Sequence, residues 1–451
     1  MNKPSLLENY LEKYSAGTSW NLVAGNIENI SQVVVIPAYA EKEMLFSTLT
    51  TLAQNHPSSL KYSLVLCVVN NKSDSPSEQV SNNQTTIEYL DALVSKNDLG
   101  KFKSDQQVYP HLLKIADTQL KLSYIDASSK GCEIATRDGG VGMARKVGMD
   151  MALRLLNKSS AGNKLIISLD ADTLVQANYL STIKDYFTPK IKTAIVAYEH
   201  QMPDDYEGQA AICCYEIFLR YWVLGLKYAK SPWAFHSIGS TIVTSTDSYL
   251  KVRGMNRREA GEDFYFLNKL AKISSIDYIR DTCVFPSARS SSRVPFGTGK
   301  AVERFLLGKN HQFLLYDPQI FTILSQWLEF MDTALLMHED EILFHAHKIN
   351  PALKLFLVDS RFADAWSKIR RNAKDEKTLR HHFNDWFDGF KTFKLIKYLT
   401  KTGYPQIDMF EALAEIISLL EMPGSRINAG TKIPPLEEQI DLLQYLRKIT
   451  L

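Results

Sequence analysis

The chain has 451 residues, 45% apolar and 23% charged, with 21 Gly and 16 Pro. This is ordinary globular usage, which excludes disordered, collagen-like and low-complexity classes and leaves room for two or three domains with sizeable cores. Lys plus Arg number 52 against 50 Asp plus Glu, a net charge of +2, without the basic excess of a dedicated nucleic-acid binder.

Residues 5–14 have the spacing of a short amphipathic helix inside an N-terminal extension over residues 1–30. Gln32-Val33-Val34-Val35-Ile36-Pro37 is a β-branched run ended by proline. Glu41 to Gln54 then places Leu45, Leu49, Leu52 and Ala53 on one helical face. Tyr62 to Val69 is apolar on both faces, as a central parallel strand is. Strand, helix and strand with a right-handed crossover open a nucleotide-binding domain. Residues 71–120 read as an insertion over the sheet, and Lys121 to Ile125 as a third strand. Gly139-Gly140-Val141-Gly142 leads into a helix through Asn157. Leu165 to Leu169 forms a fourth strand ending on Asp170-Ala171-Asp172, and Thr193 to Tyr198 a short further one. Residues 209–228 form a helix that is apolar nearly all round, hence buried or at an interface. Ser237 to Thr244 is extended and Gly261 to Ile273 helical. Beyond the Ser-, Gly- and Arg-rich stretch Ser287 to Lys300, β-branched runs cease. Helical periodicity then repeats, broken at Asn350-Pro351, Gly403-Tyr404-Pro405, Pro423-Gly424 and Pro434-Pro435. The sequence predicts an α/β domain over residues 31–300 and an all-helical domain over residues 301–451.

Five cysteines, odd in number and mostly in apolar contexts, suit a reducing compartment without a disulfide framework. No apolar core of a signal peptide follows Met1, and the longest apolar stretch, Ala210 to Leu226, is interrupted by Glu216 and Arg220. No segment offers the roughly 20 apolar residues of a membrane helix. The expectation is a soluble, cytoplasmic protein with no transmembrane segment, for which peripheral contact with a membrane stays open.

Asp170 and Asp172, at the end of a buried strand, lie where open α/β sheets bind ligands. Two carboxylates so spaced can share a hard divalent cation, Mg²⁺ or Mn²⁺, and leave positions open for diphosphate oxygens. Capping of the following turn is the plainer role for such aspartates. Glu262 and Asp263 stand at a helix start, where a rigidly held carboxylate can deprotonate a hydroxyl, although the helix dipole alone favours acids there. Arg145 and Lys146 follow the glycines at another helix start and are candidates for holding phosphate, with an exposed basic face as the alternative. Arg289, Arg293 and Lys300 lie on a loop able to close over a diphosphate. His200 and His236 are possible additional ligands, and Trp233-Ala234-Phe235 a possible sugar floor, against core packing for each.

Each signal is modest, but their order is distinctive. Val34-Val35-Ile36-Pro37-Ala38-Tyr39-Ala40-Glu41 is followed by Val68-Val69-Asn70-Asn71, then Gly142-Met143-Ala144-Arg145-Lys146-Val147-Gly148, Asp170-Ala171-Asp172 and Gly261-Glu262-Asp263. Together these resemble a family 2 glycosyltransferase of the GT-A fold over about residues 30–300. The resemblance implies a Rossmann-like, mixed and mostly parallel sheet flanked by helices, to which the chain adds an all-helical C-terminal domain. It implies a metal-dependent, inverting transfer of a sugar from a nucleotide-diphosphate donor to a hydroxyl of a glycan, lipid-linked or small-molecule acceptor. Pro37, Ala38, Tyr39, Glu41 and Asn70 would bind the donor, Asp170 and Asp172 the metal–diphosphate, and Asp263, beside Glu262, would be the general base. An Asp pair usually ends the second strand in that family, where this chain has Asn70-Asn71. The Gln-x-x-Arg-Trp signature of processive members is absent, which favours a single transfer.

Two other readings stay open. Leu169-Asp170-Ala171-Asp172-Thr173-Leu174-Val175 comes near the haloacid-dehalogenase phosphatase signature, although Leu174 stands where that signature has Thr or Val. A GT-A-like scaffold that binds a nucleotide sugar without catalysis is the other.

Overall fold

A computed structural model describes residues 5–160, 162–291, 297–308, 313–422 and 433–450. The chain forms two compact units, Met1–Gln201 with Ser237–Gly297, and Met202–His236 with Thr298–Leu451. The second unit is therefore discontinuous in sequence.

The first unit is a nine-stranded sheet flanked by helices. Its strands are β1 (Leu22–Ala24), β2 (Gln32–Ala38), β3 (Ser63–Asn70), β4 (Lys121–Ala127), β5 (Leu165–Ser168), β6 (Leu174–Val175), β7 (Thr193–Tyr198), β8 (Ile242–Ser245) and β9 (Asp277–Phe285). They are ordered β1-β4-β3-β2-β5-β8-β7-β9-β6. The long registers at the centre, β4 with β3, β3 with β2 and β2 with β5, are all parallel. Antiparallel pairing enters through β1 with β4, β8 with both β5 and β7, and β6 with β9. Every residue of β2 and β3 is buried, the reason these runs are apolar on both faces. The Val141–Lys158 helix crosses β2 and β3 closely at Gly148, where a Cβ would lie 2.4 Å from Val35 and 2.8 Å from Val68. Only glycine permits that approach.

The insertion after β3 contains helices Ser77–Val94 and Tyr109–Ala116, the first packed against β3 and β4. β1, β6 and β9 were not anticipated. β1 and β6 are two or three residues long and lie at the sheet's edges. β9 carries Asp277, Arg280 and Asp281 within a strand that is only partly buried.

The second unit is helical apart from one two-residue pairing, Leu314–Leu315 with Ile407–Asp408. Its centre is the Tyr206–Tyr228 helix, which packs against helices Thr298–Leu306, Pro318–Thr333, Met409–Leu419 and Leu436–Thr450. The charges that interrupt this helix are paired. Glu216 accepts from Arg220 Nη2 (2.9 Å) and Arg447 Nε (2.8 Å), and Arg220 Nη1 donates to Thr450 Oγ1 (3.0 Å). A buried Arg–Glu–Arg triad thus fastens the last helix of the unit to its first. Trp233 and Phe235 are core residues of this unit, with Trp233 Nε1 donating to the Phe387 carbonyl (3.1 Å). Among the described residues no helix is long and apolar enough to cross a membrane.

Candidate active site

The carboxyl ends of β2, β3 and β5 lie side by side, so the segments leaving them share one rim of the sheet. β2 ends with Pro37 and Ala38, and the chain turns through Ala40, a non-glycine residue at φ +51°. That left-handed turn is held from outside. Asn83 Oδ1 accepts from Ala40 N (2.9 Å) and Asn82 Oδ1 from Lys42 N (3.1 Å). Asn83 Nδ2 also donates to the Asn70 carbonyl (2.9 Å), so one asparagine ties the end of β2 to the end of β3. The Tyr39 hydroxyl donates to Gln79 Oε1 and lies 3.2 Å from Ser75 Oγ. Asn70 is buried, and its Oδ1 has no hydrogen-bond partner among the described residues. A buried acceptor left open in this way is costly unless something fills it.

Beyond β5 the chain runs into Asp170-Ala171-Asp172. Thr48 Oγ1 donates to the Ala171 carbonyl (2.8 Å) and Gln201 Nε2 to that of Asp172 (3.1 Å), which fixes the turn. Both Asp170 oxygens are engaged, Oδ1 by Arg145 Nη2 and Oδ2 by Ser240 Oγ. Asp172 Oδ2 accepts from Arg289 Nε (3.2 Å) and Nη2 (3.1 Å), and the same guanidinium pairs with Glu41 Oε1. Burial, with the Glu41 and Asp170 charges, pushes the Asp172 carboxyl up to about 6 despite Arg289.

Glu262 and Asp263 open the Glu262–Ala271 helix. Arg145 Nε donates to Glu262 Oε1 (2.9 Å) and Arg145 Nη1 to Ser168 Oγ (2.6 Å). Its guanidinium therefore bridges the end of β5 to the start of that helix. Gly239 is shaped around it, since a Cβ there would come within 2.3 Å of Arg145 Nη2. Burial raises the Glu262 carboxyl above its ordinary value. Burial and then the Glu262 charge push Asp263 up to about 7, with Arg145 opposing.

Two expectations change here. The glycine run before the Val141–Lys158 helix does not leave an open cradle for phosphate. A Cβ on Gly142 would lie 2.3 Å from the Arg258 carbonyl, and one on Gly140 would lie 2.6 Å from Glu259 Cα. The glycines instead admit the 256–261 segment, and so bring Glu262 to Arg145. Lys146 is not brought to Asp170 either. Its ammonium is buried, bonded to the Tyr10 hydroxyl (2.9 Å) and paired with Asp150 (3.3 Å). The Tyr10 and Tyr249 hydroxyls both donate to Asp150 Oδ1 (2.5 and 2.6 Å). This cluster anchors the N-terminal Leu6–Lys13 helix. Asp150→Ala would leave a buried ammonium and two hydroxyls without their acceptor. We expect a loss of about 3–5 kcal/mol in urea unfolding, whereas a loss below about 1 kcal/mol would mark the cluster as effectively solvated.

Pro37, Ala38, Tyr39, Glu41, Asn70, Arg145, Asp170, Asp172, Glu262, Asp263 and Arg289 are thus carried by the rim segments of one unit. Arg293 lies outside the described residues. His200 is buried with its ring 5.7 Å from that of Tyr198. His236 belongs to the second unit, where burial and then Arg220 hold its ring well below the ordinary histidine value. No group of three or more His, Cys, Asp or Glu suited to a metal occurs among the described residues. Residues to which sequence reasoning gave no role are Asn82, Asn83, Ser168 and Ser240, which hold the rim in shape. Polar residues at buried helical and strand positions were the one signal they gave.

No family model matches the sequence, and no curated protein matches it. Solved structures do, at a distance. Residues 1–349 of TarS from S. aureus, in complex with UDP-GlcNAc, share 13% identity over 79% of this chain and 91% of that one, with a TM-score of 0.36. The mannosyltransferase PcManGT from Pyrobaculum calidifontis, in complex with GDP-Man and Mn²⁺, shares 13% identity over 84% of this chain and 92% of that one, with a TM-score of 0.35.

Proposed function

We propose that this chain is a GT-A glycosyltransferase of the family 2 type, which moves a sugar from a nucleoside-diphosphate donor to an acceptor hydroxyl in one inverting, non-processive step. One observation carries the reading. Five carboxylates, those of Glu41, Asp170, Asp172, Glu262 and Asp263, converge at the carboxyl rim of the sheet, where two guanidinium groups among the described residues, Arg145 and Arg289, pair with them.

That excess of negative charge fits a divalent cation, Mn²⁺ or Mg²⁺, in its donor chemistry. Asp172 would be the direct ligand and Asp170, already held at both oxygens, its outer support. When bound, the metal would neutralise charge on the departing diphosphate. The chain's own residues do the rest. The open Asn70 Oδ1, with Pro37, Ala38 and Tyr39 beside it, receives the nucleoside. Arg289 exchanges its carboxylate partners for diphosphate oxygens. Asp263 takes the acceptor proton as the acceptor oxygen bonds to the anomeric carbon and the bond to the diphosphate breaks. Arg145 holds Asp170 and Glu262 in register and is a positioning residue. The acceptor is a hydroxyl of a glycan, a lipid-linked saccharide or a small molecule.

The test is a panel of nucleoside-diphosphate sugars with Mn²⁺, followed by calorimetry and by release of the nucleoside diphosphate. Binding of one base with sugar transfer supports the reading, and failure of every donor to bind overturns it. In the same titration Asp172→Ala should abolish the dependence of donor binding on Mn²⁺. Arg289→Ala should act with opposite signs, raising Mn²⁺ affinity in the absence of donor, because its guanidinium no longer competes for Asp172, and lowering donor affinity. A fall in both affinities would remove Arg289 from that exchange.

A further inference from the structure

The helical unit carries a surface unrelated to the carboxylate rim. The Gly389–Thr402 helix contains Lys391, Lys394, Lys397 and Lys401 and no acidic residue. Thr392, Leu395, Ile396 and Leu399 are its buried face. Phe390, Lys394, Lys397 and Lys401 follow one another at intervals of four, three and four, which aligns them along the opposite face. The three lysines are exposed and form no ion pair among the described residues. Aromatic rings lie among them. Lys391 Nζ is 4.3 Å from the Trp386 ring centre, Lys394 Nζ is 4.6 Å from that of Phe390, and Lys397 Nζ is 5.8 Å from that of Phe393.

The neighbouring helices expose single large apolar side chains among their polar ones. The Pro351–Asp359 helix packs against the lysine helix through the Phe356–Tyr398 ring contact (5.7 Å) and exposes Leu355 and Val358 at 56% and 51%. The Glu339–Ile349 helix, which packs against Pro351–Asp359, exposes Phe344 at 57% with Lys348 Nζ 4.4 Å from its ring.

We propose that the Gly389–Thr402 lysine row, with its interleaved aromatics, is a docking surface for an anionic lipid bilayer. A row of cations along a helix about 21 Å long matches a plane of laterally mobile phosphate headgroups, each lysine acting as a point charge without demanding a fixed geometry. Phenylalanine and tryptophan beside lysine suit the interfacial zone, where the ring enters the acyl boundary and the ammonium stays with the headgroups. A nucleic acid is the less fitting partner. No arginine stands in the row, and the exposed Phe344, Leu355 and Val358 add apolar surface that a polyphosphate backbone does not use. The net charge of +2 for the whole chain makes this a local concentration of charge rather than a general basicity.

The test is co-sedimentation of the full chain with phosphatidylcholine vesicles, with and without phosphatidylglycerol. Binding is expected only with phosphatidylglycerol, weakening as salt rises. The triple variant K394Q/K397Q/K401Q should lose roughly a hundredfold in vesicle affinity, and K394R/K397R/K401R should retain it. Near-UV circular dichroism verifies that both variants fold, since all three side chains are exposed. No binding to anionic vesicles overturns the proposal, as does equal binding to both vesicle types or undiminished binding by the glutamine variant. Binding of single-stranded RNA that the glutamine substitutions abolish, without vesicle binding, would assign the row to nucleic acid instead.

Discussion

Asp263→Asn is expected to lower sugar transfer by about 10²–10⁴-fold, the range supplied by a general base, while donor affinity stays within about twofold. Asparagine keeps the shape and can still accept from Phe264 N, as the aspartate does (2.7 Å), so a fold defect is not the expected cause. The pH dependence distinguishes this role from a structural one. Burial and Glu262 push the Asp263 carboxyl up to about 7, so the wild-type kcat/KM should climb as pH rises through about 7 and level off above it. The variant should lack that limb. Stability should move the other way. A carboxyl whose folded value is raised makes the native state hold its proton longer than the unfolded chain does. Stability is then lost as pH rises from the unfolded value near 3.8 towards 7. Above pH 7 the asparagine variant should therefore unfold at higher urea than wild type, and near pH 4 the two should coincide. Full turnover in the variant would remove Asp263 from the chemistry.

Much of the arrangement behind that prediction was legible in the sequence. β2, β3 and β5 are apolar on both faces because parallel central strands are covered on both sides, and that pattern survives in any context. Asp170 and Asp172 follow directly from where β5 stops. The helix around Glu262 and Asp263 was readable from its apolar spacing. What sequence could not supply was which of two neighbours faces the site. Arg145 and Lys146 are adjacent, yet successive helical residues diverge by about 100°, and the two are buried in separate networks. Arg145 joins Asp170 to Glu262, whereas Lys146 joins Tyr10 to Asp150. The glycines before them were legible as a need for close approach, but the approaching partner proved to be the chain's own 256–261 segment. Asn83 was illegible for a related reason. Its amide bridges residues 13 and 43 positions upstream, at Asn70 and Ala40, and no local pattern marks such a reach.

Arg145→Met tests whether the site is organised from its buried centre. Methionine keeps the unbranched stem of arginine but removes the guanidinium, and with it the charge, from a side chain only 4% exposed. Asp170 and Glu262 would then face one another without the cation that lies between them, along with Ser168 and the Gly239 carbonyl it also contacts. Breaking a buried pair from one side costs about 3–5 kcal/mol, and here two carboxylates lose the same partner. The loss should depend on pH with a definite sign. Glu262 is already raised by burial, and without Arg145 it rises further, so in the variant the native state takes up protons that the unfolded chain does not. Its stability is regained as pH falls through that raised value. Urea unfolding at pH 8 should show the full deficit, and unfolding at pH 5 a smaller one. Arg145→Lys restores the charge without the forked geometry that reaches Asp170 and Glu262 together, so it should recover part of the stability and little of the transfer. A deficit of equal size at both pH values would locate the cost in packing at Gly239 rather than in the two carboxylates, and Arg145 would then be a filler of space instead of the residue that sets the distance between Asp170 and Glu262.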